Sequence, residues 1–197
     1  MSRTLPPEPL SAHEVDDLLR ACAGATWIDL RNRALIALLY RSGLRVSEAL
    51  ALRPTDVDLE AGAVRVLRGK GGRSRVVGID PAGAAVVAAW ATRRAVLGHG
   101  GNTPLFYTSR GRAISAGHVR RLFHRLGSRA GIHKRVHPHG LRHTHAAELR
   151  AEGVDIGIIS KQLGHRSIAT TARYLDHIAP YAVVEAMRAR VWRAASP

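Results

Sequence analysis

Cysteine is nearly absent from this sequence. Cys22 stands alone, so no disulfide can form within the chain and no zinc site can be built from cysteines. A reducing, intracellular setting is the expectation that follows. Long apolar runs are missing too: no 18-residue stretch could span a bilayer. Met1 to Pro9 has neither the apolar core of a secretory signal nor the Arg-rich amphipathic pattern of a transit peptide. A soluble, cytoplasmic protein is expected. Acid is scarce as well, with 15 Asp and Glu against 30 Lys and Arg, a formal charge of +15 and a pI near 11.5. Such an excess points to a polyanionic partner, because nucleic-acid affinity is largely phosphate neutralisation. The excess is not confined to a tail or a low-complexity tract. It runs through sequence that reads as folded.

The 197 residues suffice for one domain with one sizeable core and a small second lobe. Residues 1–10 are Pro-rich and read as an unstructured lead-in; 11–178 form the main domain, and 179–197 a C-terminal helix. Ser11 with Glu14 gives a capping box before a helix over 12–23. Helical spacing continues over 28–40, with Gly43 as its stop, and over 46–52. Two β-branched runs, 63–68 and 73–79, flank Gly69-Lys70-Gly71-Gly72 and predict a hairpin with Lys70 at its tip. Asp80 and Pro81 suit the start of a helix to about Leu97. The run Leu105-Phe106-Tyr107 is expected to extend the small sheet. Helices follow at 115–130, 139–152, 155–163 and 167–175, and an amphipathic one at 180–194. The fold class is therefore α+β, mostly α-helical, with a small antiparallel sheet.

Three features put functional side chains at structural joints. In Ser42-Gly43-Leu44-Arg45-Val46-Ser47-Glu48, Arg45 opens a helix just after a glycine turn, where a guanidinium can grip two phosphate oxygens. Lys70 is one of only three lysines against 27 arginines, and a lysine can surrender a proton where arginine effectively cannot. It can equally be an ordinary charged turn residue. The third is His137-Pro138-His139-Gly140-Leu141-Arg142-His143-Thr144-His145, followed by Leu163-Gly164-His165 and then Tyr174. On a helix His139 and Arg142 share a face near an N-terminus that favours phosphate. His139 and His143 have the spacing of two zinc ligands, but no Glu follows the first, so the HExxH arrangement and its general base are missing. His143 and His145 are expected to satisfy buried polar neighbours.

Taken together, these pieces resemble the catalytic domain of the tyrosine recombinase, or phage integrase, family. The match rests on Gly-Leu-Arg-Val-Ser-Glu around Arg45, Gly-Lys-Gly around Lys70, His-x-Leu-Arg-His at 139–143, Leu-Gly-His at 163–165 and Tyr174 nine residues later. It runs from about Leu10 to His177. The resemblance implies that Arg45 and Arg142 clamp the scissile phosphate, Lys70 protonates the departing 5′ oxygen, His139 assists proton transfer at the tyrosine, and His165 hydrogen-bonds the phosphate. Glu48 would buttress the site. Tyr174 would attack the phosphate to give a 3′-phosphotyrosyl link with a free 5′ hydroxyl. Such an ester conserves the bond energy, so neither metal, ATP nor other cofactor is implied. The implied partners are double-stranded DNA, four protomers on two duplexes, and accessory DNA-bending proteins, at the bacterial nucleoid. The C-terminal helix would dock on a neighbouring protomer or on its own core.

Two departures stand out. Gly140 sits where the family usually carries a side chain, which costs the helix about 1 kcal/mol against Ala. Family members also commonly carry an N-terminal helical domain that clamps the other face of DNA, whereas only the Pro-rich lead precedes Leu10. The chain is then either a catalytic-domain-only member or a piece of a longer one. Other readings are a DNA-binding regulator that keeps the fold without cutting, and a type IB topoisomerase that relaxes supercoils with similar chemistry. A metal-dependent hydrolase is a further one. A lost nucleophile would mark the regulator, but all six positions are filled.

Overall fold

The computed structural model describes residues 9–24, 26–67, 74–98, 103–179 and 181–190. Lys70, the hairpin tip and residues 1–8 and 191–197 lie outside them. Within the described residues the order is α1 (Ala12–Arg20), α2 (Trp27–Arg41), α3 (Val46–Ala51), β1 (Val57–Asp58), β2 (Ala63–Val66), β3 (Arg75–Gly78), α4 (Pro81–Val96), α5 (Ala116–Arg129), α6 (Pro138–Ala151), α7 (Ile156–Leu163), α8 (Ile168–Ile178) and α9 (Ala182–Arg188). The mostly helical, α+β expectation holds.

Local chemistry sets most helix starts. Ser11 accepts from the Glu14 amide while the Glu14 carboxylate accepts from Ser11, the reciprocal box expected of α1. Thr26 and Asp29 repeat the arrangement at α2. Asp80 caps α4 through the Gly83 amide with Pro81 next, where a missing N–H costs nothing.

The sheet has the order β1-β2-β3, antiparallel throughout, with Val66 opposite Arg75 and Ala63 opposite Gly78. Its third strand is β1, not the 105–107 run. Leu105 donates its amide to Leu52 O and accepts from the Trp90 indole, and Tyr107 makes only an isolated bridge to Ala113. All three side chains are buried, so burial against the helices overrides strand propensity.

The main core gathers α1 to α5, the sheet and Leu141, with Trp27, Trp90 and Tyr107 in mutual ring contact. A second, smaller cluster joins Ala146 of α6, Ile159 and Leu163 of α7, and Leu175 and Ile178 of α8. Tyr174 packs against this lobe. The expected unstructured lead-in ends sooner than 10: Leu10 is buried and its amide donates to Thr144 Oγ1 at 3.0 Å, pinning the chain start to α6. No helix among the described residues is long and apolar enough to cross a membrane.

Candidate active site on the basic face

Gly43 adopts φ +59°, a left-handed turn that only glycine enters cheaply, and delivers Arg45 as the residue that opens α3. One turn on, Glu48 reaches back. Its Oε2 accepts from the Arg45 amide at 3.0 Å and its Oε1 from Arg45 Nη1 at 2.9 Å. Glu48 also receives Arg75 from β3, Nη1 to Oε1 at 2.9 Å and Nη2 to Oε2 at 2.8 Å. Burial pushes the Glu48 carboxyl up, but the Arg75 and Arg45 hydrogen bonds prevail and hold its pKa down at about 2. Glu48 is thus ionised at neutral pH, as a buttress requires.

Helix α6 begins with His137 as its cap: imidazole Nδ1 accepts from the Gly140 amide at 3.1 Å. That fixes the turn bearing His139 and Arg142. Arg142 is 1% exposed and reaches two distant carbonyls, Gly43 O through Nη1 and Leu163 O through Nη2, both at 2.5 Å. Its Nη2 also faces His165 Nε2 at 3.4 Å. Burial, then the neighbouring Arg45 charge, lowers the Arg142 pKa to about 10, so it remains a cation at neutral pH.

Gly164 terminates α7 in the left-handed region at φ +65° and turns the chain toward His165. His165 Nδ1 lies 2.9 Å from Thr171 Oγ1, a fully buried hydroxyl one turn before Tyr174 on α8. Burial and the Arg142 charge depress the His165 pKa to about 4. Arginine has no acceptor, so the neutral imidazole turns its Nε2 lone pair to Arg142 and donates from Nδ1 to Thr171.

Tyr174 is sandwiched between imidazoles: His143 stacks on it at 5.2 Å between ring centroids, and His165 meets it edge-on at 5.3 Å. His139 meets His143 edge-on at 4.3 Å. The phenol oxygen is buried with no hydrogen bond of ordinary geometry. Burial raises its pKa to about 12 even though Arg142, and more weakly Arg45, pull it down. The His139 pKa is lowered, by burial first and then by Arg142, leaving it a neutral proton acceptor.

Arg45, Glu48, His139, Arg142, His165 and Tyr174 therefore converge from α3, α6, α7 and α8, segments up to 129 residues apart in the chain. Lys70 cannot be placed, as it falls outside the described residues. Among those residues no group of three His, Cys, Asp or Glu side chains is arranged to hold a metal ion.

Two expectations need correction, and one residue escapes the sequence motifs. His143 Nδ1 and His145 Nε2 are buried without hydrogen-bond partners. The two rings serve in packing instead, His143 against Tyr174 and His145 against Gly43, where a Cβ would sit 2.5 Å from the ring. Arg75 is the residue that escapes them. Its one sequence signal is the two-residue alternation of β3, which puts Arg75 and Val77 on the inward face.

The family model described as "Phage integrase family" matches residues 8–179. The chain belongs to this family. Among curated members, the tyrosine recombinase XerC of Rhodospirillum centenum is 42% identical over 173 residues, covering 86% of this chain and 50% of that one. XerD of Corynebacterium glutamicum is 37% identical over 195 residues, covering 97% and 62%. This chain thus spans about half to three-fifths of these relatives. Of solved structures, that of the XerA recombinase superposes with a TM-score of 0.83 at 32% identity, covering 95% of this chain and 67% of that one. The XerH site-specific recombinase in a post-cleavage complex with its difH substrate gives a TM-score of 0.74 at 27% identity, covering 93% and 53%. The family membership thus covers the sheet, the helices up to α8 and every placed site residue.

Proposed function

We propose that the protein is a site-specific DNA recombinase that cleaves and rejoins strands through a 3′-phosphotyrosyl intermediate on Tyr174. The observation that carries this reading is the phenol of Tyr174 held between two imidazoles within the field of Arg142 and Arg45. In the proposed step the Tyr174 oxygen forms a bond to phosphorus as its proton passes to His139, and the bond to the 5′ oxygen breaks. That oxygen takes a proton from Lys70. Arg45, Arg142 and His165 hold the phosphate oxygens, where charge builds in the transition state. A phenol pKa near 12 makes the resting site inert until a phosphate draws the guanidinium groups and His139 into line.

Double-stranded DNA is the partner. Its backbone would lie along the basic face of α5, where Arg120, Arg121, His124 and Arg125 are exposed and the helix holds no acid. Beside it a groove of about 460 Å³ is lined by Arg120, His124, Lys134, Arg135 and His137. Exchange between two duplexes calls for four protomers, in the cytoplasm at the nucleoid, with DNA-bending proteins as accessories. On α9, Val183, Val184 and Met187 are exposed together and would dock on a neighbouring protomer. The bounds proposed are a catalytic domain over 11–178 and a docking helix over 179–197.

The test begins with a pool of nicked duplexes whose central base pairs are randomised. Protein–DNA adducts are recovered under denaturing conditions, and the DNA is sequenced. The expected result is an adduct formed by the wild type, with an enriched sequence, and none from Tyr174→Phe. DNA binding without adduct in either protein points to a regulator. Relaxation of plasmid by a monomer points to a topoisomerase.

A further inference from the structure

We propose that Arg75 is a positioning residue: it takes the charge of Glu48 so that Arg45 keeps its own for the scissile phosphate, and it braces the turn that presents His165. The proposal rests on the recombinase reading.

A carboxylate offers about four lone-pair positions. All four on Glu48 are used, two by Arg45 and two by the parallel prongs of Arg75. The Glu48 side chain is 2% exposed, so no water competes for them. One negative charge is thereby shared between two guanidinium groups, leaving a net positive charge on the pair. With Arg75 neutral, Glu48 and Arg45 would form a one-to-one pair of zero net charge. The phosphate would then have to compete with Glu48 for Arg45.

The second link is steric. The Arg75 Nε is buried without a hydrogen-bond partner, and its flank lies on Gly164. A Cβ at Gly164 would sit 2.7 Å from both Nε and Cζ of Arg75. The Leu163 carbonyl on the same turn is held by Arg142. Arg75 and Arg142 thus grip one turn from two sides, and His165 is its next residue. The influence of Arg75 on the phosphate site passes through Glu48 and Gly164. Lysine cannot reproduce this, since an ammonium has no two-pronged face for the carboxylate.

The experiment uses a duplex selected by the adduct screen, in single-turnover cleavage at saturating DNA, with affinity for the same duplex measured in a Tyr174→Phe background. Arg75→Gln should slow cleavage 10- to 100-fold with affinity changed less than threefold. Arg75→Lys, which keeps the charge, should recover part of the loss. Arg75→Gln combined with Glu48→Gln should cleave faster than Arg75→Gln alone, because Arg45 is released from the unshared carboxylate. A merely structural Arg75 predicts the reverse, a double variant slower than either single one. The proposal is overturned if Arg75→Gln cleaves at the wild-type rate, if the whole loss lies in affinity, or if the double variant shows no recovery. Should Arg75→Gln fail to fold, the comparison of Arg75→Lys with wild type decides: an unchanged cleavage rate sinks the idea. Absence of any adduct from wild type would instead strike the recombinase reading on which it rests.

Discussion

Acidification should unfold this protein early, and His145 offers a way to measure why. His145 is buried, its Nε2 has no hydrogen-bond partner, and burial followed by the Arg41 and Arg142 charges lowers its pKa to about 4. His143 is buried likewise, with a pKa of about 3. In the unfolded chain each titrates at the ordinary value of about 6.5. The unfolded state therefore binds more protons than the native one below pH 6.5, and stability present above that value is lost as pH falls. At pH 5 each ring costs about 2 kcal/mol, and the two together about 4 kcal/mol. Against a total of about 5–15 kcal/mol for a domain this is large. Glu48 does not confuse the measurement, since its stabilisation fades only below about pH 4.5. Glu148, whose pKa is raised mainly by burial, acts in the opposite sense near pH 5. A single-residue comparison is therefore needed. Urea unfolding at pH 7.5, 6.5, 5.5 and 5 should show His145→Leu losing about 2 kcal/mol less than wild type between the extremes. Parallel curves for the two proteins would refute the buried, neutral assignment.

Other outcomes follow from the glycines. A Cβ at Gly140 would meet nothing nearer than the His137 ring at 3.7 Å, and the residue is helical, so Gly140→Ala should stabilise by about 0.5–1 kcal/mol. Thermal melts should place its midpoint about 2 °C above wild type; a lower midpoint would mean that the helix start needs glycine for another reason. Gly164→Ala should behave differently, combining about 1–2 kcal/mol of left-handed backbone strain with the clash against Arg75. Gly131 has nearly the same φ, +67°, with open space around it. Gly131→Ala should then lower the midpoint less than Gly164→Ala, and equal drops would show that the Arg75 contact yields freely.

The sequence is most legible where the determinants are local. Ser11 with Glu14, and Asp80 before Pro81, mark helix starts because cap and capped amides lie within three residues. The run 105–107 misleads because β-branched and aromatic preference reports a pleated, half-buried surface, whereas these side chains fill a helical core beside Trp90. Leu10 reads as lying outside the fold because prolines surround it, and its anchor, Thr144, lies 134 residues away. The site residues are recognisable only as a set: no spacing rule brings Arg45 to Tyr174, and their order does so through family resemblance. Arg75 eludes that route because it belongs to none of the quoted motifs. Its partner Glu48 lies 27 residues away across the fold, and strand alternation gives a face without naming what meets it.

Arg142 explains why those scattered motifs arrive together. Its guanidinium carries five N–H donors in a fixed fork. One prong satisfies Gly43 O, in the turn before Arg45, and another Leu163 O, in the turn before His165. Both turns depend on a glycine at positive φ, Gly43 and Gly164, which leaves their carbonyls in the interior and in need of a donor. A buried cation with no carboxylate of its own is costly, and here two carbonyl dipoles and the shared Glu48 charge nearby offset that cost. The same contacts fix where the remaining donors point, which is toward His165 and Tyr174. The glycine turns, the buried arginine and the raised tyrosine pKa are thus one construction: folding forces positive charge into a site that stays unsatisfied until an anion enters it.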